Sequence, residues 1–194
     1  DKAAYYLHIQ EYPLEPEDAF MQSNRSPFDL EKINTQIGKI LANKALQGMI
    51  GTGDLNWNAN HTEVEWELNP DGKFRILYHP QKNMINLDIG GVDSYTQDEA
   101  PNSDSKGCAI VFRRWSMNTD EPSNLPIAMY VDRPYTKEEW YENTLKLYTY
   151  YNARTLVEYT DDGFFNFYIK KQVTNLLKER PKAADAPWGK VANR

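Results

Sequence analysis

Cysteine is almost absent from this sequence, which has one such residue, Cys108, among 194. A single cysteine excludes an internal disulfide and a metal site built from cysteines. Cys108 belongs to an apolar run, which predicts a buried thiol rather than a nucleophile. Histidine is scarce too, and His61 and His79 stand alone in the chain, so neither is predicted to bind a metal.

Long apolar runs and a surplus of positive charge are also missing. No run approaches the roughly 18 apolar residues of a membrane-spanning helix, so no membrane partner is predicted. The net charge is −6, which argues against a protein that holds nucleic acid by charge alone. An acidic enzyme that approaches DNA through bound metal ions stays possible, because the ions reverse the local sign of the charge.

The richest stretch lies between residues 83 and 114. An apolar run, Met84–Val92, is followed by Asp93, and a second run, Cys108–Phe112, follows a polar loop that contains Asp104. This pattern predicts a strand, a loop that carries carboxylates, and an antiparallel return strand. Because Asp also favours turns, turn chemistry is one explanation of Asp93. The other is a cation site, since Mg²⁺ takes carboxylate oxygens as ligands.

Two further strands are predicted, at 125–131 and 154–159. The first of them follows its predecessor by a short connection, so the three strands from residue 84 onward form a meander. A capping box, Thr136 to Glu139, opens a helix that ends at 152–153. This helix carries the chain across to the strand 154–159, which can pair with the first strand in parallel.

This arrangement predicts that Asp93 and Glu158 end neighbouring strands at the same side of the sheet. Two carboxylates placed together each raise the pKa of the other unless a cation lies between them. Turn chemistry alone does not account for such a pair, because its members come from distant parts of the chain.

Other elements are predicted from periodicity and turn signals. Residues 26–46 form a helix with Ser26 as its N-cap, and the glycines that follow end it. Residues 55–78 form a hairpin around the turn 69–72. A last helix covers 164–180 and ends at Pro181.

Three phrases of the sequence resemble the C-terminal nuclease domain of the large terminase subunit of tailed phages. They read PLEPEDAFMQS, IGGVDSYTQDEAPNSDSKGCAIVFRR and VDRPYTKEEWYENTLKLYTYYNARTLVEYTDDG. The resemblance implies an α/β fold of the ribonuclease H-like type: a mixed sheet with a three-strand meander and a parallel strand, flanking helices, and an N-terminal helix and hairpin. Residues 1–26 are then a linker or the end of a motor domain. Residues 27–194 are the nuclease domain, incomplete at its C-terminus.

The resemblance also implies the site. Asp93 matches the first catalytic acid and Glu158 the second, while Asp104 lies where many of these nucleases keep a loop acid near the metals. The family's third catalytic Asp has no match here, because the surroundings of Asp185 differ from that motif. The implied cofactors are two Mg²⁺ or Mn²⁺ ions about 3.5–4 Å apart.

Basic residues near the acids are predicted to contact DNA phosphates. Arg133 is favoured, since it follows the third strand of the meander close to the edge of the sheet where Asp93 is predicted. The other candidates are Arg113, Lys170, Arg114 and Lys171.

The implied function is metal-dependent cleavage of concatemeric viral double-stranded DNA during genome packaging, in the cytoplasm of a bacterial host. The implied partners are the motor domain, the portal and the small terminase subunit. The phosphate-binding pattern GxxxxGK[ST] is absent, so the chain is not itself the motor. Two alternatives stay open: a related ribonuclease H-like nuclease of the resolvase or transposase type, and a non-catalytic docking module of the packaging motor.

Overall fold

A computed structural model describes residues 29–95, 105–119, 122–157 and 162–178. The chain divides into two compact units, Asp1–Met49 and Ile50–Arg194. The sequence predicts a boundary near residue 26, and the contacts instead group the helix that follows with the first unit. No helix in the described ranges is long and apolar enough to cross a membrane.

The described part of the first unit contains two helices, α1 (Leu30–Ala42) and α2 (Lys44–Gly48). The prediction of one helix capped by Ser26 is wrong. Asp29 is the N-cap of α1, because its carboxylate accepts a hydrogen bond from the backbone N–H of Lys32 at 3.2 Å. Asn43, whose backbone is extended, separates α1 from α2.

The described part of the second unit contains a seven-stranded mixed sheet with the order β2-β1-β3-β6-β5-β4-β7. Its strands are β1 (Gly51–Trp57), β2 (Val64–Leu68), β3 (Phe74–Ile76), β4 (Asp88–Asp93), β5 (Gly107–Arg113), β6 (Leu125–Asp132) and β7 (Arg154–Val157). Every strand pair is antiparallel except β4 with β7. The predicted meander, which is β4-β5-β6, and its parallel neighbour β7 are therefore confirmed.

The predicted hairpin is wrong in its pairing. β2 and β3 both pair with β1, which lies between them in the sheet. The turn 69–72 connects β2 to β3 past the end of β1. The glycines of β1 conceal this strand in the sequence, because glycines after a helical pattern also predict the end of a helix. Gly53 is required there, since a Cβ atom at this position would overlap the Glu67 carbonyl and the Trp66 ring.

Helix α3 (Lys137–Tyr151) covers one face of the sheet. It begins as predicted, because the Thr136 hydroxyl accepts a hydrogen bond from the backbone N–H of Glu139 at 3.2 Å. It ends as predicted at Asn152, which has a left-handed backbone with φ 47°. Trp140 is fully buried against Tyr130 of β6, with ring centroids 6.4 Å apart. The aromatic side chains of α3 thus form the centre of the core.

Helix α4 (Asp162–Lys170) is shorter than the predicted helix 164–180. Gln172 has a left-handed backbone with φ 59°, and the Val173 N–H bonds to the Tyr168 carbonyl, which ends the helix. The chain then returns to the sheet, where Leu177 forms a parallel bridge with Thr155 of β7.

Gly90 of β4 is expected to tolerate no side chain. A Cβ atom there would overlap Thr155 Oγ1 and approach Tyr148 Cε1 at 2.5 Å. Gly90→Ala is therefore expected to lower the free energy of unfolding by about 1–3 kcal/mol, measured by urea denaturation. Gly91→Ala is the matched control, because the nearest atom to a Cβ there is Ile110 Cγ2 at 3.4 Å. Equal losses in the two variants would contradict this explanation.

Candidate functional site

Asp93 is the last residue of β4, which lies inside the sheet between β5 and β7. β5 begins at Gly107 and β6 ends at Asp132 on the same side, and we call this side the Asp93 end of the sheet. The Asp93 side chain is exposed and has no hydrogen bond or ion pair with any described residue. The next side chain, Ser94, is buried, and its hydroxyl has no hydrogen-bond partner in the described ranges. The Asp93 end therefore presents an exposed carboxylate that has no ion pair among the described residues.

The parallel pairing of β4 and β7 decides which residues come together at this end. Val92 pairs with Val157, so the two strands reach the Asp93 end side by side. Glu158, the next residue of the sequence, and Asp104, the predicted loop acid, lie outside the described residues, as does Asp185. Their positions as metal ligands stay predictions.

Cys108 pairs with Asp93 across β4 and β5, so their side chains share one face of the sheet. Burial raises the pKa of the Cys108 thiol, and the nearby Asp93 carboxylate raises it further. Both effects favour the neutral thiol. Cys108 is therefore a neutral neighbour of the candidate site, and its side chain is half-buried, whereas the sequence predicts a buried thiol.

Arg133 lies at the Asp93 end, directly after β6. Its Nη1 donates a hydrogen bond to the Ser105 carbonyl at 2.8 Å, and its guanidinium lies 4.9 Å from the centroid of the Tyr95 ring. Tyr95 is two residues beyond Asp93, so these contacts hold a cation at the Asp93 end. Arg133 thus lies at the same end of the sheet as Asp93, as the sequence predicts, whereas its contact with DNA stays a prediction.

Lys170 lies in the last turn of α4, and its side chain is exposed. It lines a groove of about 360 Å³ between α3 and α4, together with Lys137, Glu138 and Asn166. Lys171, another predicted DNA contact, forms an ion pair with Glu142 at 2.8 Å. Lys170 is therefore the better placed of these two lysines to meet a phosphate.

Arg113 is fully buried, which corrects its prediction as a DNA contact. Its Nε donates to Asp88 Oδ1 at 3.0 Å, and its Nη2 donates to Asp88 Oδ2 at 3.2 Å and to the His79 carbonyl at 2.9 Å. Asp88 and Arg113 are paired residues of β4 and β5, at the opposite end of the strands from Asp93. The pair thus fixes the register that aligns Asp93 with Cys108.

The described residues contain no group of three or more His, Cys, Asp or Glu side chains that could hold a metal ion. Of the three predicted metal ligands, Asp93 is the described one, and its exposed, unpaired carboxylate is chemically suited to a hard cation. Among known proteins, no family model, no curated sequence and no solved structure matches the chain.

Proposed function

We propose that this chain is a metal-dependent endonuclease domain that cleaves double-stranded DNA. One observation carries the proposal: Asp93 ends a central strand whose parallel neighbour, β7, runs directly toward Glu158 in the sequence. The order β6-β5-β4-β7, with acids assigned to β4 and to the residue after β7, supports a ribonuclease H-like nuclease.

Asp93 and Glu158 would hold the cations, with Asp104 as an additional ligand from the loop. Two divalent ions held there would supply activation of a water molecule and stabilisation of the leaving 3′ oxygen in phosphodiester hydrolysis. The exposure of Asp93 supports this assignment, because a carboxylate with an internal hydrogen bond or ion pair would have to break that contact before it could bind a metal ion.

Arg133 supplies the positive charge that a phosphodiester needs beside two carboxylates. Its guanidinium is already held by the Ser105 carbonyl and the Tyr95 ring. Binding of a phosphate by Arg133 would therefore cost little side-chain conformational entropy. In this assignment Arg133 orients the phosphate, and Asp93 is a ligand of the cations.

The resemblance to the large terminase subunit gives the proposal its biological setting. The substrate is then concatemeric viral DNA, which is cut during genome packaging in the cytoplasm of a bacterial host. The motor domain, the portal and the small terminase subunit are the corresponding partners, and residues 1–26 would lead from the motor domain.

Metal removal tests this function. The 194-residue chain is expected to nick supercoiled plasmid DNA with Mn²⁺ or Mg²⁺ and to lose that activity in EDTA. Binding of Mn²⁺, measured by the loss of its free electron paramagnetic resonance signal, tests the site separately from turnover. A chain that neither binds Mn²⁺ nor nicks DNA would overturn the proposal.

A further inference from the structure

We infer that Tyr135 stacks on an unpaired base of the DNA substrate, while Lys137 and Lys170 contact its phosphates. We call these three residues the α3 platform. The inference rests on the proposed function and extends it to the part of the substrate beyond the cleaved bond. The observation behind it is that Tyr135 is 99% exposed, although it lies two residues from the half-buried Arg133.

The backbone around Tyr135 is fixed on both sides. Before it, Arg133 is held by Ser105 and Tyr95, and Pro134 restricts the backbone. After it, Thr136 caps helix α3 through the Glu139 N–H. An aromatic ring on a fixed backbone binds with a small loss of conformational entropy, which makes it a good stacking surface.

Lysines that could meet an anionic strand follow Tyr135 closely. The groove between α3 and α4 is lined by two lysines, Lys137 and Lys170, and by one acid, Glu138, and its α3 side starts at Lys137, two residues after Tyr135. Exposed aromatic rings next to lysines are the usual means of binding single-stranded nucleic acid, because every base has a face on which a ring can stack. A paired base inside a duplex offers no such face, so the inference requires the duplex substrate to be unpaired where a strand leaves the Asp93 end.

The position of the platform connects it with cleavage. Arg133 lies at the Asp93 end and Lys137 is the first residue of α3, so Tyr135 comes between the two in the chain. A strand whose phosphate is held by Arg133 would place a neighbouring nucleotide at Tyr135.

Binding of a fluorescein-labelled single-stranded oligonucleotide, followed by fluorescence anisotropy in EDTA, tests the inference without cleavage. Tyr135→Ala is expected to weaken binding about tenfold, and Tyr135→Phe, which keeps the ring, is expected to stay within about twofold of the wild type. Trp115→Ala is the matched control, because Trp115 is also exposed, at 63%, but follows β5 at the opposite end of the strands.

The lysines have a separate readout. We plot the logarithm of the association constant for the oligonucleotide against the logarithm of the salt concentration. Lys170→Gln is expected to make the slope of this plot less steep by about 0.7, the value for one phosphate contact on a single strand. Lys82→Gln, which removes an exposed lysine from the loop before β4, is expected to leave the slope unchanged.

Two results would overturn the inference: binding by Tyr135→Ala within twofold of the wild type, or equal losses in Tyr135→Ala and Trp115→Ala. The plasmid assay distinguishes this failure from failure of the proposed function. If the chain nicks plasmid DNA and Tyr135→Ala binds the oligonucleotide as well as the wild type does, the inference about the α3 platform fails and the proposed function stands. If oligonucleotide binding depends on Tyr135 but the chain neither binds Mn²⁺ nor cuts DNA, the inference about the α3 platform stands and the proposed function fails.

Discussion

Asp93→Asn is expected to lower metal-dependent nicking at least about 100-fold. The Asn amide has nearly the shape of the Asp carboxylate but carries no negative charge, so it cannot neutralise the positive charge of two metal ions. Loss of even an indirect partner of a metal ligand costs 10–100-fold in metal affinity or activity, and Asp93 is assigned as a direct ligand. Rates of plasmid nicking and the Mn²⁺ affinity should fall together. Because Asp93 is exposed and has no described hydrogen bond, its substitution should leave the free energy of unfolding within about 0.5 kcal/mol of the wild type.

Asp132→Asn is the matched control for this experiment. Asp132 ends β6 as Asp93 ends β4, but it forms an ion pair with Lys73 at 3.6 Å. Its removal takes one negative charge from the same end of the sheet and leaves the assigned ligands intact, so nicking should change less than about twofold. Full activity in Asp93→Asn would disprove the site, and equal losses in both variants would indicate an effect of charge rather than of a ligand.

Arg113→Met is expected to lower the free energy of unfolding by about 3–5 kcal/mol, the largest loss of stability predicted for this chain. The substitution leaves the Asp88 carboxylate buried without its guanidinium, and breaking a buried ion pair by removing one partner costs this much. Urea denaturation measures the change. Arg114→Met, which removes the next arginine along the chain, should cost less than about 0.5 kcal/mol, because Arg114 is exposed and donates to the Asn86 carbonyl at 3.3 Å.

A double substitution separates the ion pair from simple packing. Asp88→Leu with Arg113→Met removes both charges, and such a replacement is often neutral or stabilising when the new side chains pack well. We therefore expect the double variant to recover most of the loss seen in Arg113→Met. If the double variant is as unstable as the sum of the two single variants, the pair contributes no coupling and the explanation fails.

The sheet centre was predictable because its residues follow simple rules. The apolar runs before Asp93 and after Gly107, the short connection to β6, and the capping box at Thr136 together require a meander followed by a helix and a parallel strand. The pairing register follows from the same strands, since the antiparallel alignment of Asp93 with Cys108 also aligns Asp88 with Arg113. An aspartate in the apolar run could therefore have been matched with its arginine from the sequence.

Other features depend on contacts between distant parts of the chain, which the local pattern does not contain. β1 has little strand propensity, because Gly51 and Gly53 weaken it, and its place between β2 and β3 is set by packing against the Trp66 ring. Tyr135 lies in an ordinary loop sequence. Its exposure indicates a binding surface only because the structure shows that the residues on either side, Arg133 and Thr136, are held in place. The burial of Arg113 follows from the register of β4 and β5, and no residue close to it in the sequence indicates this burial.

The pairing of β4 with β7 has a consequence for how the chain folds as it is made. Val92 and Val157 lie about 65 residues apart in the sequence, whereas β4, β5 and β6 follow one another closely. Closing such a long loop is slow, so the meander should form first and keep one side of β4 unpaired until β7 arrives. An unpaired strand of this kind attracts strands from other chains, so a polypeptide cut short before residue 154 should aggregate rather than accumulate as a folded intermediate.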